Sequence, residues 1–148
     1  MKKSLLRKYA KLIAATGVNV QRGQEVFITA ELDQPEFVEI LVAECYKAGA
    51  KKVMVEWDYQ PLTKLHVRYQ SVKTLGTVPE YIKAQQQYYC DTLPCRLYIM
   101  SEDPDGLKGV NTAKMAKARQ LSYPILKPYI DDRDGKQQWC IAAVPGVA

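Results

Sequence analysis

At 148 residues, with 47% apolar and 25% charged residues, the chain can bury a core and is too apolar to be a disordered segment. No apolar run approaches the ~20 residues that span a bilayer. Six bases and no acid fall in residues 1–24, so that segment carries +6 of a net +5 and the remainder is −1; a spread nucleic-acid-binding face is thereby disfavoured.

In "MKKSLLRKYAKLIAATG", Leu5, Tyr9, Leu12, Ile13 and Thr16 fall at helical spacing, with the charges opposite and Gly17 as a stop. Arg7, Lys8 and Lys11 break the uncharged core that a secretory leader needs, so a surface helix is expected. The four cysteines then read as reduced thiols of a cytoplasmic protein. Cys90 and Cys95 have zinc-compatible C-x4-C spacing, but no second pair follows and His66 is the sole histidine, so no zinc site is expected. Cys45 and Cys140 read as small core hydrophobes.

A β-rich run at 24–32 is followed by "DQPEFVEILVAECYKAGA", in which Asp33 and Glu36 have capping-box spacing and Pro35 fits the first turn. Val38, Leu41, Val42 and Cys45 form its apolar stripe, and Gly49 ends it. Residues 51–57 are a second strand, 61–73 a polar helix, and "PEYIKAQQQYY" another helix behind Pro79. "CRLYIMS" (95–101) is a third strand, followed by the turn-rich "EDPDG". A helix is predicted from about residue 111 to 121, with Pro124 and Pro128 preventing its continuation. Asp134-Gly135 reads as a hairpin-type turn into a last strand at Trp139. This alternation predicts one α/β domain over residues 1–148: three layers, with helices on both faces of a largely parallel sheet of four to five strands.

Acids gather where the predicted strands finish. Glu31 and Asp33 follow the first, Glu56 and Asp58 the second, and Glu102, Asp103 and Asp105 the third. Parallel strands bring these to one edge, where ligands of open α/β folds collect. An acidic rim there would attract a cation, a metal or the protonated amine of a peptide. Helix capping and the satisfaction of exposed amides account for acids at such positions without a ligand, and this is the stronger reading. Other constellations are missing: the sequence has no G-x-G-x-x-G after a strand, no Walker loop and no G-x-S-x-G. Gly106 and Gly109 in "DPDGLKGVN" are placed to open a helix toward an anion, but three neighbouring acids make a poor phosphate site. His66 reads as a surface or packing residue, and the ten tyrosines as core and interface mass.

Five segments in order carry a further signal: "LLRKYAKLIAATGVNVQRGQEVFI", "VAECYKAGAKKVMVEWDY", "VPEYIKAQQQYY", "DPDGLKGVN" and "LSYPILKPYIDDRDGKQQWCIAAVP". Together they resemble the amino-terminal domain of the thermophilic-type metallo-aminopeptidases, the aminopeptidase T, S and II group, over essentially the whole chain. Gly146 stands where that family tends to have threonine. The resemblance implies a cytoplasmic, homodimeric exopeptidase using two divalent ions, zinc, cobalt or magnesium. It also implies that the metal and catalytic residues belong to a carboxyl-terminal half beyond this sequence. No catalytic, metal or cofactor-binding residue is therefore carried onto this chain; Glu31, Glu56, Asp58, Glu102 and Asp103 remain as candidate cleft-rim acids. The expected role is a non-catalytic portion that walls the cavity of an aminopeptidase acting on peptides. Its expected partner is its own catalytic domain, with neither nucleic acid nor membrane, and its exit is at Pro145-Gly146, near the junction. The alternative is a standalone α/β interaction or regulatory module without peptidase activity.

Overall fold

Four strands, β1 (Glu25–Glu31), β2 (Lys52–Asp58), β3 (Cys95–Met100) and β4 (Trp139–Ala143), form one sheet in the order β2-β1-β3-β4. The structure is a computed structural model that describes residues 2–101 and 103–144. All three strand pairs are parallel, which bears out the α/β reading, with four strands among the described residues. The chain divides into two compact units: Met1–Asp58 with Pro94–Asp103 and Gln137–Ala148, and Tyr59–Leu93 with Pro104–Lys136. Each segment of the second unit is a crossover between strands of the first.

The first unit holds the sheet with α1 (Lys3–Leu12), a π turn (Ile13–Gly17) and α2 (Pro35–Lys47). Strand side chains alternate between faces. Val26, Ile28, Leu97 and Ile99 take one face and share a core with Ala10, Ile13, Phe37 and Leu41. The opposite face carries Phe27, Thr29, Tyr98, Met100 and Ile141. Tyr9 stacks on Phe37 with centroids 5.8 Å apart, and its hydroxyl donates to the Ala143 carbonyl at 3.0 Å.

Two sequence expectations fail in this unit. The buried face of α1 runs through Leu6, Tyr9, Ala10, Ile13 and Ala14, whereas Leu5, Leu12 and Thr16 are exposed. Small Ala10 and Ala14 let the helix lie close to its neighbours, a preference that a hydrophobicity pattern understates. The capping box at Asp33 also does not form, because Gln34 is the N-cap of α2 and gives no side-chain cap. The Asp33 carboxylate instead accepts the buried Ser101 hydroxyl at 2.8 Å, since the parallel neighbour β3 brings Ser101 to the same edge. Gly49 does follow α2, at φ +112°, where a Cβ would lie 2.9 Å from Arg22 Cα.

The amino-terminal edge of the sheet is tied by side chains. The Cys95 thiol donates to Gln24 Oε1 at 3.2 Å, Gln24 Nε2 donates to Gln138 Oε1 at 2.7 Å, and Gln138 Nε2 donates to the Val18 and Asn19 carbonyls. Burial pushes the Cys95 thiol upward, and pushes that of Cys45 up to about 12, with smaller contributions from Cys95 and Glu44. Both behave as neutral core groups.

The second unit contains α3 (Gln60–Tyr69), α4 (Val72–Gly76), α5 (Glu80–Thr92) and α6 (Thr112–Arg133). The polar helix predicted over 61–73 is split at Ser71, whose Oγ accepts from the Thr74 amide at 3.1 Å and starts α4. The largest departure is α6, which runs through Pro124 and Pro128 instead of stopping near residue 121. Each proline removes one amide–carbonyl bond, but both are exposed and contacts hold the helix on either side of them. Before them, Gly76 packs so tightly that a Cβ would come within 2.7 Å of Leu121 Cβ. After them, the Cys90 thiol donates to the Tyr129 carbonyl and Arg133 donates to Gln86 Oε1 at 2.9 Å. Gly135, at φ +75°, leads from α6 into β4; since β4 runs parallel to β3, the predicted hairpin is a helix-to-strand turn.

Candidate functional site at the strand carboxyl ends

In the order β2-β1-β3-β4, the chain leaves β1 toward one neighbour and returns on its other side at β3. The crevice beyond β1 and β3 is therefore the topological switch point, where open α/β sheets bind ligands. A cavity of about 260 Å³ lies there, lined by Thr29, Ala30, Glu31, Asp58, Tyr98, Ile99, Met100 and Ile141.

The predicted acids distribute unevenly around it. Glu31 and Asp58 are partners across β1 and β2 and both line the cavity, Glu31 buried and Asp58 exposed. Glu56 pairs with Thr29 one step back along the same face, exposed and outside the lining. Asp103 is half-buried beyond β3 and does not line it. Glu102 and the Pro145-Gly146 exit lie outside the described residues. The ladder continues past the strands, with the Leu32 amide donating to the Asp58 carbonyl at 2.9 Å, which holds the two carboxylate-bearing positions in register.

Sequence reasoning missed the rest of the lining. Thr29 Oγ1 is buried and finds no hydrogen-bond partner among the described residues, a cost of about 1–3 kcal/mol that a polar ligand atom would relieve. Arg96 lies 4.0 Å over the Phe27 ring and 4.8 Å over Tyr98, and its Nη2 donates to the Tyr98 hydroxyl at 2.9 Å, fixing that wall. Tyr98, Met100 and Ile141 are all exposed. The signal available for them was the period of two in β3 and β4, which sets Arg96, Tyr98 and Met100 opposite the core positions. The site thus joins two carboxylates to an apolar wall and one unsatisfied hydroxyl. That combination suits a ligand with a cationic end and an apolar body.

Among the described residues, no three His, Cys, Asp or Glu side chains gather to hold a metal ion, and the lone histidine, His66, is exposed on α3.

Fold and site define an α/β domain with an acid-lined crevice at its switch point. The chain matches the family model described as thermophilic metalloprotease (M29) over residues 2–148, and it belongs to that family. It is 31% identical to aminopeptidase PepS of Streptococcus thermophilus over 145 residues, 97% of this chain and 35% of that protein. It is 26% identical to aminopeptidase T of Thermus thermophilus over 126 residues, 85% of this chain and 31% of that protein. The solved structure of wild-type AmpT from Thermus thermophilus matches with a TM-score of 0.82 at 25% identity, over 95% of this chain and 36% of the other. The chain spans about a third of the length of the relatives it matches. A metalloprotease family implies a divalent metal, and the described residues of this third do not fit one.

Proposed function

We propose that residues 1–148 act as one non-catalytic, amino-terminal domain of a divalent-metal-dependent aminopeptidase that releases amino-terminal residues from peptides. The observation that carries this reading is the extent of the match: nearly all of this chain corresponds to about a third of each aminopeptidase relative. In the whole enzyme the crevice walls the active-site cavity. Glu31 and Asp58 attract the substrate's protonated amine, while Tyr98, Met100 and Ile141 meet its apolar side chains. Glu56 and Asp103 extend the acidic rim around it. The two divalent ions, whether zinc, cobalt or magnesium, are held by the remaining two-thirds of the enzyme. The working protein is a cytoplasmic homodimer.

The chain alone, supplied with cobalt, zinc or magnesium, is expected to hydrolyse an aminoacyl-coumarin no faster than the metal-only blank. Turnover above that blank would refute the non-catalytic assignment. A chimera in which this chain replaces the matching third of PepS tests the rim. There, Asp58→Asn is expected to raise KM with little change in kcat, and unchanged KM would return the acids to a structural role.

A further inference from the structure

The loop containing Gly106 and Gly109, a poor anion site by sequence, has different company in the structure. A cavity of about 740 Å³ in the second unit is lined by Lys64, Leu65 and Arg68 from α3 and by Lys108, Val110 and Lys114 from the loop and the start of α6. Among the described residues no carboxylate lines it. Asp105, which counted against an anion in the sequence, is outside the lining, because the loop turns at Gly109 (φ +84°) and presents Lys108 to the cavity.

Two local features create this cleft. Pro61, Lys64, Leu65 and Arg68 recur at helical spacing, so α3 shows one stripe that alternates apolar and cationic groups. The loop closes on α3 through Gly106, where a Cβ would lie 2.1 Å from Gln60 Oε1. Among the described residues none of the four cations forms an ion pair with a carboxylate. The start of α6 adds to the same field: Asn111 caps it by accepting from the Lys114 amide at 3.0 Å, and the helix presents its positive end.

We propose that this cleft binds an acidic peptide segment, with carboxylates on Lys64, Arg68, Lys108 and Lys114 and apolar side chains on Leu65 and Val110. The volume lies within the range of ligand sites and is far larger than one phosphate needs. No aromatic side chain lines it, so a nucleotide base has no stacking partner. Cations outside any ion pair, with Arg68 held over the Tyr69 ring at 5.4 Å, alternate with apolar groups and match a chain that itself alternates carboxylates with apolar side chains. The site does not depend on the peptidase reading, since it would capture such a segment whether or not the parent enzyme cleaves it.

Fluorescence anisotropy of the 148-residue chain with a labelled octapeptide of alternating Glu and Leu tests the proposal. Saturable binding at low salt is expected, weakening as ionic strength rises from about 0.02 M to about 0.3 M, and the matching Lys/Leu peptide should not bind. The double substitution Lys64→Gln/Arg68→Gln should weaken binding by about tenfold, with Lys47→Gln as an inert control. Circular dichroism confirms that each variant is folded, and Lys114→Gln provides a separate single-site test from α6. Failure of the acidic peptide to bind at low salt would overturn the proposal. So would equal affinity in both the double variant and Lys114→Gln, or displacement of the peptide only by ATP or tripolyphosphate through those four cations.

Discussion

The two units carry clefts of opposite sign, built in opposite ways. In the first, Glu31 and Asp58 meet because parallel pairing sets them side by side at the ends of β1 and β2. In the second, Lys64 and Arg68 meet Lys108 and Lys114 across more than forty residues of chain, through a helix and a loop that close at one glycine. The acidic crevice is a product of strand topology, and any sequence that places acids after parallel strands will tend to make one. The basic cleft exists only while α3 and the Gly106 loop stay packed. Ligand chemistry that is dispersed in sequence therefore depends on tertiary packing in a way that strand-end chemistry does not.

Core substitutions break the comparison most strongly. Leu41 is fully buried beneath the sheet, and Leu41→Ala should lower stability by about 3 kcal/mol, read as a fall in the urea midpoint. In the second unit, Gly76→Ala places a methyl 2.7 Å from Leu121 Cβ and 2.9 Å from the Ala118 carbonyl, and should lower stability by about 1–3 kcal/mol. Hydrogen exchange separates the two: the first variant should deprotect β1 and β3 amides, the second those of α4 and α6. A uniform loss in both variants would mean that the units unfold together.

Alkaline pH probes the thiols that burial pushes up, Cys45 and Cys95 in the first unit and Cys90 in the second, with Cys45 shifted far enough to read by itself. An unfolded thiol ionises near 9.0, whereas Cys45 in the fold keeps its proton up to about 12. The unfolded state therefore loses protons first, and stability is full below pH 9 and falls as pH climbs toward 12. The loss from this group should be about 1 kcal/mol by pH 10. Cys45→Ala should flatten that slope in urea titrations at pH 8 and pH 10.

Smaller effects sharpen the contrast at the clefts themselves. Thr29→Val replaces an unpartnered buried hydroxyl by a methyl and should raise stability by about 1 kcal/mol. Asp58→Asn removes a charge directly across from Glu31 and should raise it by about 0.5 kcal/mol. Lys64→Gln, which relieves like charge one turn from Arg68, should gain only about 0.3 kcal/mol. Thermal unfolding of the three variants checks this order. A stability loss in Lys64→Gln would show that the group makes a structural contact, and would weaken the case that its cleft is kept for a ligand.

Periodicity and glycine positions made much of the sheet legible in the sequence. Val26, Ile28 and Ala30 sit in a β-rich run, Val38, Leu41 and Cys45 recur at helical spacing, and Gly49 ends α2, because these signals act through bonds and neighbours within a few residues. The strand-end acids were legible for the same reason, since their position follows from strand order alone. What failed were choices among local options that distant residues decide. Asp33 gives its carboxylate to Ser101 and is not the N-cap of its own helix, and α6 survives two prolines because Gly76, Gln86 and Cys90 bond or pack to it on both sides.

Charge was the least legible quantity in the chain. Beside Asp105 in sequence, Lys108 belonged to an acidic stretch; in the structure it joins three cations in a cavity that no carboxylate among the described residues lines. The sequence by itself determined the α/β alternation, the core stripes and the acids at the strand ends, all matters of short-range order and backbone geometry. Only the tertiary structure decided which charges share a field, because that field depends on distances between elements, and distances between elements are set by packing.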